Sequence, residues 1–71
     1  MFLEGNMKQY EIRTADGNLH TDTVWSLGDV AEAAKTLNNI TSIRVRHFGE
    51  REWNPSWAAE AARRFIDIYS R

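Results

Sequence analysis

From Lys8 to Trp25 the chain reads KQYEIRTADGNLHTDTVW, with Tyr10 and Ile12 two apart and polar residues between them, the period of a strand. Asp16-Gly17 interrupts the pattern, and Asp-Gly is the dipeptide that two-residue hairpin turns prefer, because both central positions take positive φ. The chain is therefore expected to fold back with Thr14 opposite Leu19, Arg13 opposite His20, Ile12 opposite Thr21, Glu11 opposite Asp22, Tyr10 opposite Thr23 and Lys8 opposite Trp25. One face then gathers Tyr10, Ile12, Leu19 and Trp25. The wetter face carries Gln9, Glu11, Arg13, His20, Asp22 and Val24.

The period changes in SLGDVAEAAKTLNN, where Leu27, Val30, Ala34 and Leu37 recur at three- and four-residue spacing and form one apolar stripe. Ser26 and Asp29 fit a capping box, and Trp25 with Val30 fits the hydrophobic staple across a helix start. Asn38-Asn39 ends the helix, since Asn tolerates the left-handed conformation. Alternation returns in ITSIRVRHF, so Ile43 and Val45 face a core while Arg44 and Arg46 face away. A second helix is expected from NPSWAAEAARRFIDIYSR, with Asn54 as its cap and Pro55 in its first turn. Its apolar side holds Trp57, Ala58, Ala61, Ala62, Phe65, Ile68 and Tyr69.

These elements predict an α+β fold of type ββαβα, a three-stranded sheet of order 2-1-3 with both helices on one face. Strand three would then be an exposed edge. Tyr10, Ile12, Ile43, Val45 and Phe65 are expected to share the interior of a single small domain spanning residues 7–71. Residues 1–6 are expected to be loosely ordered, with Met7 a second possible start.

Seventy-one residues leave little core, and without cysteine and with only His20 and His47 neither a disulfide nor a structural metal is available to reinforce it. Three Trp, three Phe and two Tyr supply large areas to bury, either within the chain or against a second copy. The N-terminus lacks the basic start and apolar run of a signal peptide, and no stretch reaches membrane-spanning length, so a soluble, cytoplasmic protein is expected.

A net charge of −1 gives no long-range pull on nucleic acid or an anionic membrane. The distribution is uneven: residues 1–42 carry six acids against three bases, and residues 43–71 carry six arginines against four acids. Arg44, Arg46, Arg51, Arg63 and Arg64, with Phe48 and His20, offer the material of a basic surface with an aromatic for stacking. The alternative use of Arg44 and Arg46 is cross-strand pairing with Glu11 and Asp22. His20 and Asp22 share a strand face, but His47 points to the other face, so the histidines do not converge on a catalytic site. No glycine pattern matches a phosphate loop, and a strand separates the two helices where a helix-turn-helix needs a short turn.

Trp57, at helical spacing with Ala61 and Phe65, is expected in the core. Trp53, just ahead of the cap, serves either as a lid over the sheet or as an anchor for a second chain. The functional expectation is a protein-interaction module without catalysis, a homodimer, inhibitor or adaptor of the kind met among bacterial or phage accessory proteins. Trp53, Arg44, Arg46, Phe48 and Arg51 are its contact candidates, and self-pairing of the strand three edge is one route. The alternative is a nucleic-acid accessory protein using Arg44, Arg46, His20, Arg63 and Arg64. No cofactor, metal, membrane or small-molecule substrate is expected.

Overall fold

The first hairpin forms where the alternation places it, but with a different turn. In the computed structural model, which describes residues 6–70, β1 (Lys8–Thr14) and β2 (Leu19–Val24) pair antiparallel with Ile12 opposite His20 and Tyr10 opposite Asp22. The expectation for the N-terminus falls on residues of which 1–5 lie outside that range. Gly17 N–H donates to Thr14 C=O at 3.0 Å, and Thr14 N–H donates to Asn18 C=O at 3.2 Å. The loop is thus three residues, Ala15-Asp16-Gly17, with positive φ (88°) at Gly17 and not at Asp16. A type I turn followed by a left-handed glycine uses the same dipeptide as the two-residue turn, and it shifts the register by one. The Asp16 carboxylate locks it by accepting from the Thr14 hydroxyl and from the Asn18 N–H at 3.1 Å. These bonds, the Thr14 hydroxyl first, hold the Asp16 carboxyl below its usual range.

That one-residue slip turns β2 over. Val24 packs against the core, while Leu19 and Trp25, expected inside, stay 47% and 56% exposed. His20 and Asp22 share the side of Tyr10 and Ile12, not that of Glu11 as expected.

Helix α1 (Leu27–Lys35) starts at the capping box: Ser26 Oγ accepts from Asp29 N–H at 3.2 Å, and Asp29 Oδ2 accepts from Ser26 N–H at 3.1 Å. Val30, Ala31 and Ala34 are buried, and Leu27 and Leu37 pack beside them. Trp25 remains too exposed to act as the expected staple. The helix ends at Lys35 with Thr36 as its C-cap, ahead of the stop expected at Asn38-Asn39, and Asn39 takes the left-handed conformation (φ 58°) in the turn into β3 (Ile40–His47).

β3 pairs antiparallel with β1, placing Ile43 opposite Ile12 and Arg44 opposite Glu11. It is not an edge strand. At its end Glu50 N–H donates to His47 C=O at 3.0 Å across a turn whose Gly49 has φ 91°. The chain then runs back along β3, where Val45 N–H donates to Pro55 C=O at 2.9 Å and Asn54 N–H donates to Val45 C=O at 2.7 Å. Residues Ser56–Ala58 form β4, and the sheet has four strands in the order β2-β1-β3-β4, in place of the expected three. A helix beginning at Pro55 would have left the outer N–H and C=O groups of β3 without these partners. Instead α2 (Ala59–Tyr69) starts four residues later, with Ala58 in place of Asn54 at the N-cap and no side-chain cap bond.

Tyr10, Ile12, Ile43 and Val45 from the sheet meet Val30, Ala31 and Ala34 from α1 and Ala62 and Phe65 from α2 in one core. Trp57 reaches the helix-bearing side from β4, and its ring stacks on Phe65 with centroids 4.2 Å apart. Tyr69 continues the aromatic row at 4.9 Å from Phe65. The buried side of α2 is therefore narrower than expected, for Ala61 and Ile68 remain exposed.

Gly17→Ala is expected to cost about 1 kcal/mol in urea unfolding, all of it backbone conformation, since an added Cβ meets nothing within 4 Å. A neutral substitution would mean that the turn has another geometry. Burial, and secondarily the Asp22 charge, holds the Tyr10 phenol above its ordinary range. A raised folded value stabilises fully below about pH 10 and is lost as pH rises through it. Tyr10→Phe should therefore flatten the loss of stability that urea melts show as pH rises above about 10, whereas an equally steep loss would remove Tyr10 as its source.

Candidate interaction surface on the open face of the sheet

The register that buries Ile12 against Ile43 necessarily sets Glu11 against Arg44 on the opposite face, because alternate residues point to opposite sides. Neither α1 nor α2 covers that face, yet Glu11 is only 8% exposed. Arg44 supplies the explanation. Its Nε donates to Glu11 Oε1 at 2.6 Å with a second contact from Nη2, and Arg13 Nε approaches the same oxygen at 3.8 Å. A guanidinium fork lying over a carboxylate both screens it from water and provides its partner.

Arg46, two residues on, meets only neutral oxygens: its Nε donates to Gln9 Oε1 at 3.0 Å, and its Nη1 to the Arg51 C=O at 3.3 Å. Among the described residues no carboxylate pairs with it. The Trp53 ring, returned over the face by the Gly49 turn, lies 4.1 Å from the Arg46 guanidinium carbon and 4.8 Å from that of Arg44. Trp53 is half-buried by this arrangement. Each such contact is worth about 0.5–1 kcal/mol at a partly exposed site. Together they restrain both arginine side chains, which lowers the rotamer entropy left to be lost on binding.

Beside this stack the face dips into a hollow of about 280 Å³, with Arg46 and Trp53 on one side, Thr21 and Thr23 on the other and Gln9 and Glu11 at its floor. It is open to solvent, and its lining includes two acids, Glu11 and Asp22, and one base, Arg46. The Thr hydroxyls can donate or accept, and Arg46 keeps N–H groups beyond the two already engaged.

Of the residues expected to carry function, Trp53, Arg44 and Arg46 are brought together, and Arg51 joins them through its carbonyl. Phe48 sits 39% exposed at the turn beyond Arg46. The five arginines do not form one basic surface: Arg63 and Arg64 are exposed on α2, whose layer lies on the other side of the sheet. Nor is His20 near Arg44, since it lies toward the helices at the Thr14 end, 3.5 Å from the Thr14 hydroxyl. His47 is exposed at the opposite end of the sheet, across from Lys8, and not on covered ground as expected. Asp22 takes no part in pairing with Arg44 or Arg46, because the register places it opposite Tyr10.

The expected cross-strand pairing of Arg44 with Glu11 forms, whereas Gln9, the partner of Arg46, was missed by sequence reasoning. The signal for Trp53 was Gly49, which marks a reversal after a strand and so returns the next segment along the same arginines.

Among the described residues no three His, Cys, Asp or Glu lie close enough to hold a metal ion, and no helix is long and apolar enough to cross a membrane. Trp53→Ala is expected to lower stability by about 1–2 kcal/mol and to speed solvent exchange of the Arg46 side-chain N–H in NMR spectra. Unchanged stability with an unchanged Arg46 signal would mean that the stack is not formed in solution. No family model, curated protein or solved structure matches this chain.

Proposed function

We propose that the domain is a protein-interaction module, acting as an inhibitor, adaptor or assembly subunit, that holds a carboxylate-bearing segment of its partner on the open face of the sheet. The observation that carries this reading is Arg46: an arginine beneath Trp53, at the wall of a hollow, paired with no acid among the described residues. Arginine and tryptophan in contact are the side chains most enriched at binding hot spots, and the planar fork suits a carboxylate in two-point contact. Thr21 and Thr23 provide polar groups on the far wall for the backbone of the bound segment.

The nucleic-acid alternative has less support. Binding a phosphate backbone needs several uncommitted cations on one surface. Here Glu11 takes up Arg44, and Arg63 and Arg64 lie on the other side. The whole chain carries −1.

A photoreactive amino acid placed at Thr23, with Lys35 on α1 as the control position, tests the proposal in producing cells. Protein adducts from position 23 that disappear when Arg46→Glu is added are expected. Nuclease-sensitive adducts would favour the alternative, and adducts indifferent to Arg46→Glu would contradict the assignment of the open face.

A further inference from the structure

The two borders of the sheet are not equally protected. On the β4 side the outer strand is three residues long and follows Pro55, the short and proline-flanked form in which proteins blunt an edge. On the other side β2 runs six residues, LHTDTV, with no Pro, Gly, Lys or Arg and with Asp22 as its only acid. The Thr14 N–H to Asn18 C=O bond fixes which of its backbone groups turn inward. By alternation His20, Asp22 and Val24 bond to β1, and Leu19, Thr21 and Thr23 present their N–H and C=O outward. The Thr23 N–H, which faces away from β1, is met only by the neighbouring Asp22 Oδ1 at 2.7 Å.

We infer that two copies of the chain pair through this border, β2 antiparallel to β2 about a two-fold axis centred on Thr21. This goes beyond the open-face reading, because it uses a different surface and a defined partner. Charge selects the register. Outward-facing residues must pair with outward-facing residues, so the two registers that overlap most of the strand centre on Thr21 or shift by two residues. The shifted one sets Asp22 against the partner's Asp22, two like charges directly opposed. Centring on Thr21 sets His20 against the partner's Asp22 twice over, and Thr21 against the partner's Thr21. It also sets Leu19, which is 47% exposed, beside the partner's Thr23. In that register the Thr23 N–H exchanges the Asp22 carboxylate for the C=O of the partner's Leu19, freeing Asp22 for the partner's His20. The result is a continuous eight-stranded sheet with both Arg46–Trp53 stacks on the same side.

The chain has no cysteine, so cross-linking is clean. Thr21→Cys is expected to give a disulfide dimer on mild oxidation much faster than Leu19→Cys, since a two-fold through Thr21 brings only that position against itself at about 5.5 Å between Cα atoms. In sedimentation equilibrium the parent chain should dimerise. His20→Asp should weaken the dimer by about tenfold or more, and His20→Asp combined with Asp22→His should restore it. Thr21→Pro should give a folded monomer, because its lost N–H points away from β1. A parent chain that stays monomeric at about 0.5 mM overturns the inference, as does cross-linking no faster at position 21 than at 19, or a dimer that the charge reversal leaves unchanged. Because Thr23 lies on both surfaces, adducts from position 23 are separated by mass: adducts between two copies of the chain report this border, and adducts to another protein report the open face, so the two proposals fail separately.

Discussion

Ile12 and Ile43, opposed across β1 and β3 and both at 0% exposure, fix the rest of the molecule. With side chains alternating, that pair sends Tyr10 and Val45 to the same interior and sends Glu11, Arg44 and Arg46 to the other side. A slip of β3 by one residue would bury Arg44 and Arg46 under the helices and expose Ile43 and Val45, which is why the register is strongly specified. The open-face cluster is thus a geometric consequence of the core.

What the open face does with its charges follows from how few they are. Glu11 is shielded by the Arg44 guanidinium, Arg13 stands at longer range, and Arg46 meets, among the described residues, neutral oxygens and the Trp53 ring. A pair partly excluded from water contributes modestly to stability, because desolvation offsets much of the attraction. Its larger effect is to hold the side chains in one arrangement. A preformed arrangement reduces the ordering cost of binding, and that links the packing of this face to the function proposed for it.

Much of this was legible in the sequence. The capping box at Ser26 and Asp29 and the five interior residues Tyr10, Ile12, Ile43, Val45 and Phe65 all follow from spacing and residue chemistry, whereas the helix stops at Thr36 and not at Asn38-Asn39. The β2 register was not legible, because Asp16-Gly17 serves both two- and three-residue turns and only the parity of the loop decides which face Leu19 and Val24 take. β4 escaped because Asn54-Pro55 has the form of a helix start, whereas the unmet backbone groups of β3 draw the segment into the sheet. The stacking of Trp53 could be read only after that return path was known. Trp25 and Ile68 show the reverse case, apolar residues at suitable spacing that the fold leaves outside.

Nuclear Overhauser contacts between Hα protons test the central claim most directly, since they are strong only between residues of a non-hydrogen-bonded antiparallel pair. The registers described here predict such contacts between Ile12 and Ile43 across β1 and β3, and between Glu11 and Thr21 across β1 and β2. A contact pairing Ile12 with Thr21, or one pairing Ile43 with any β1 residue other than Ile12, would contradict the account.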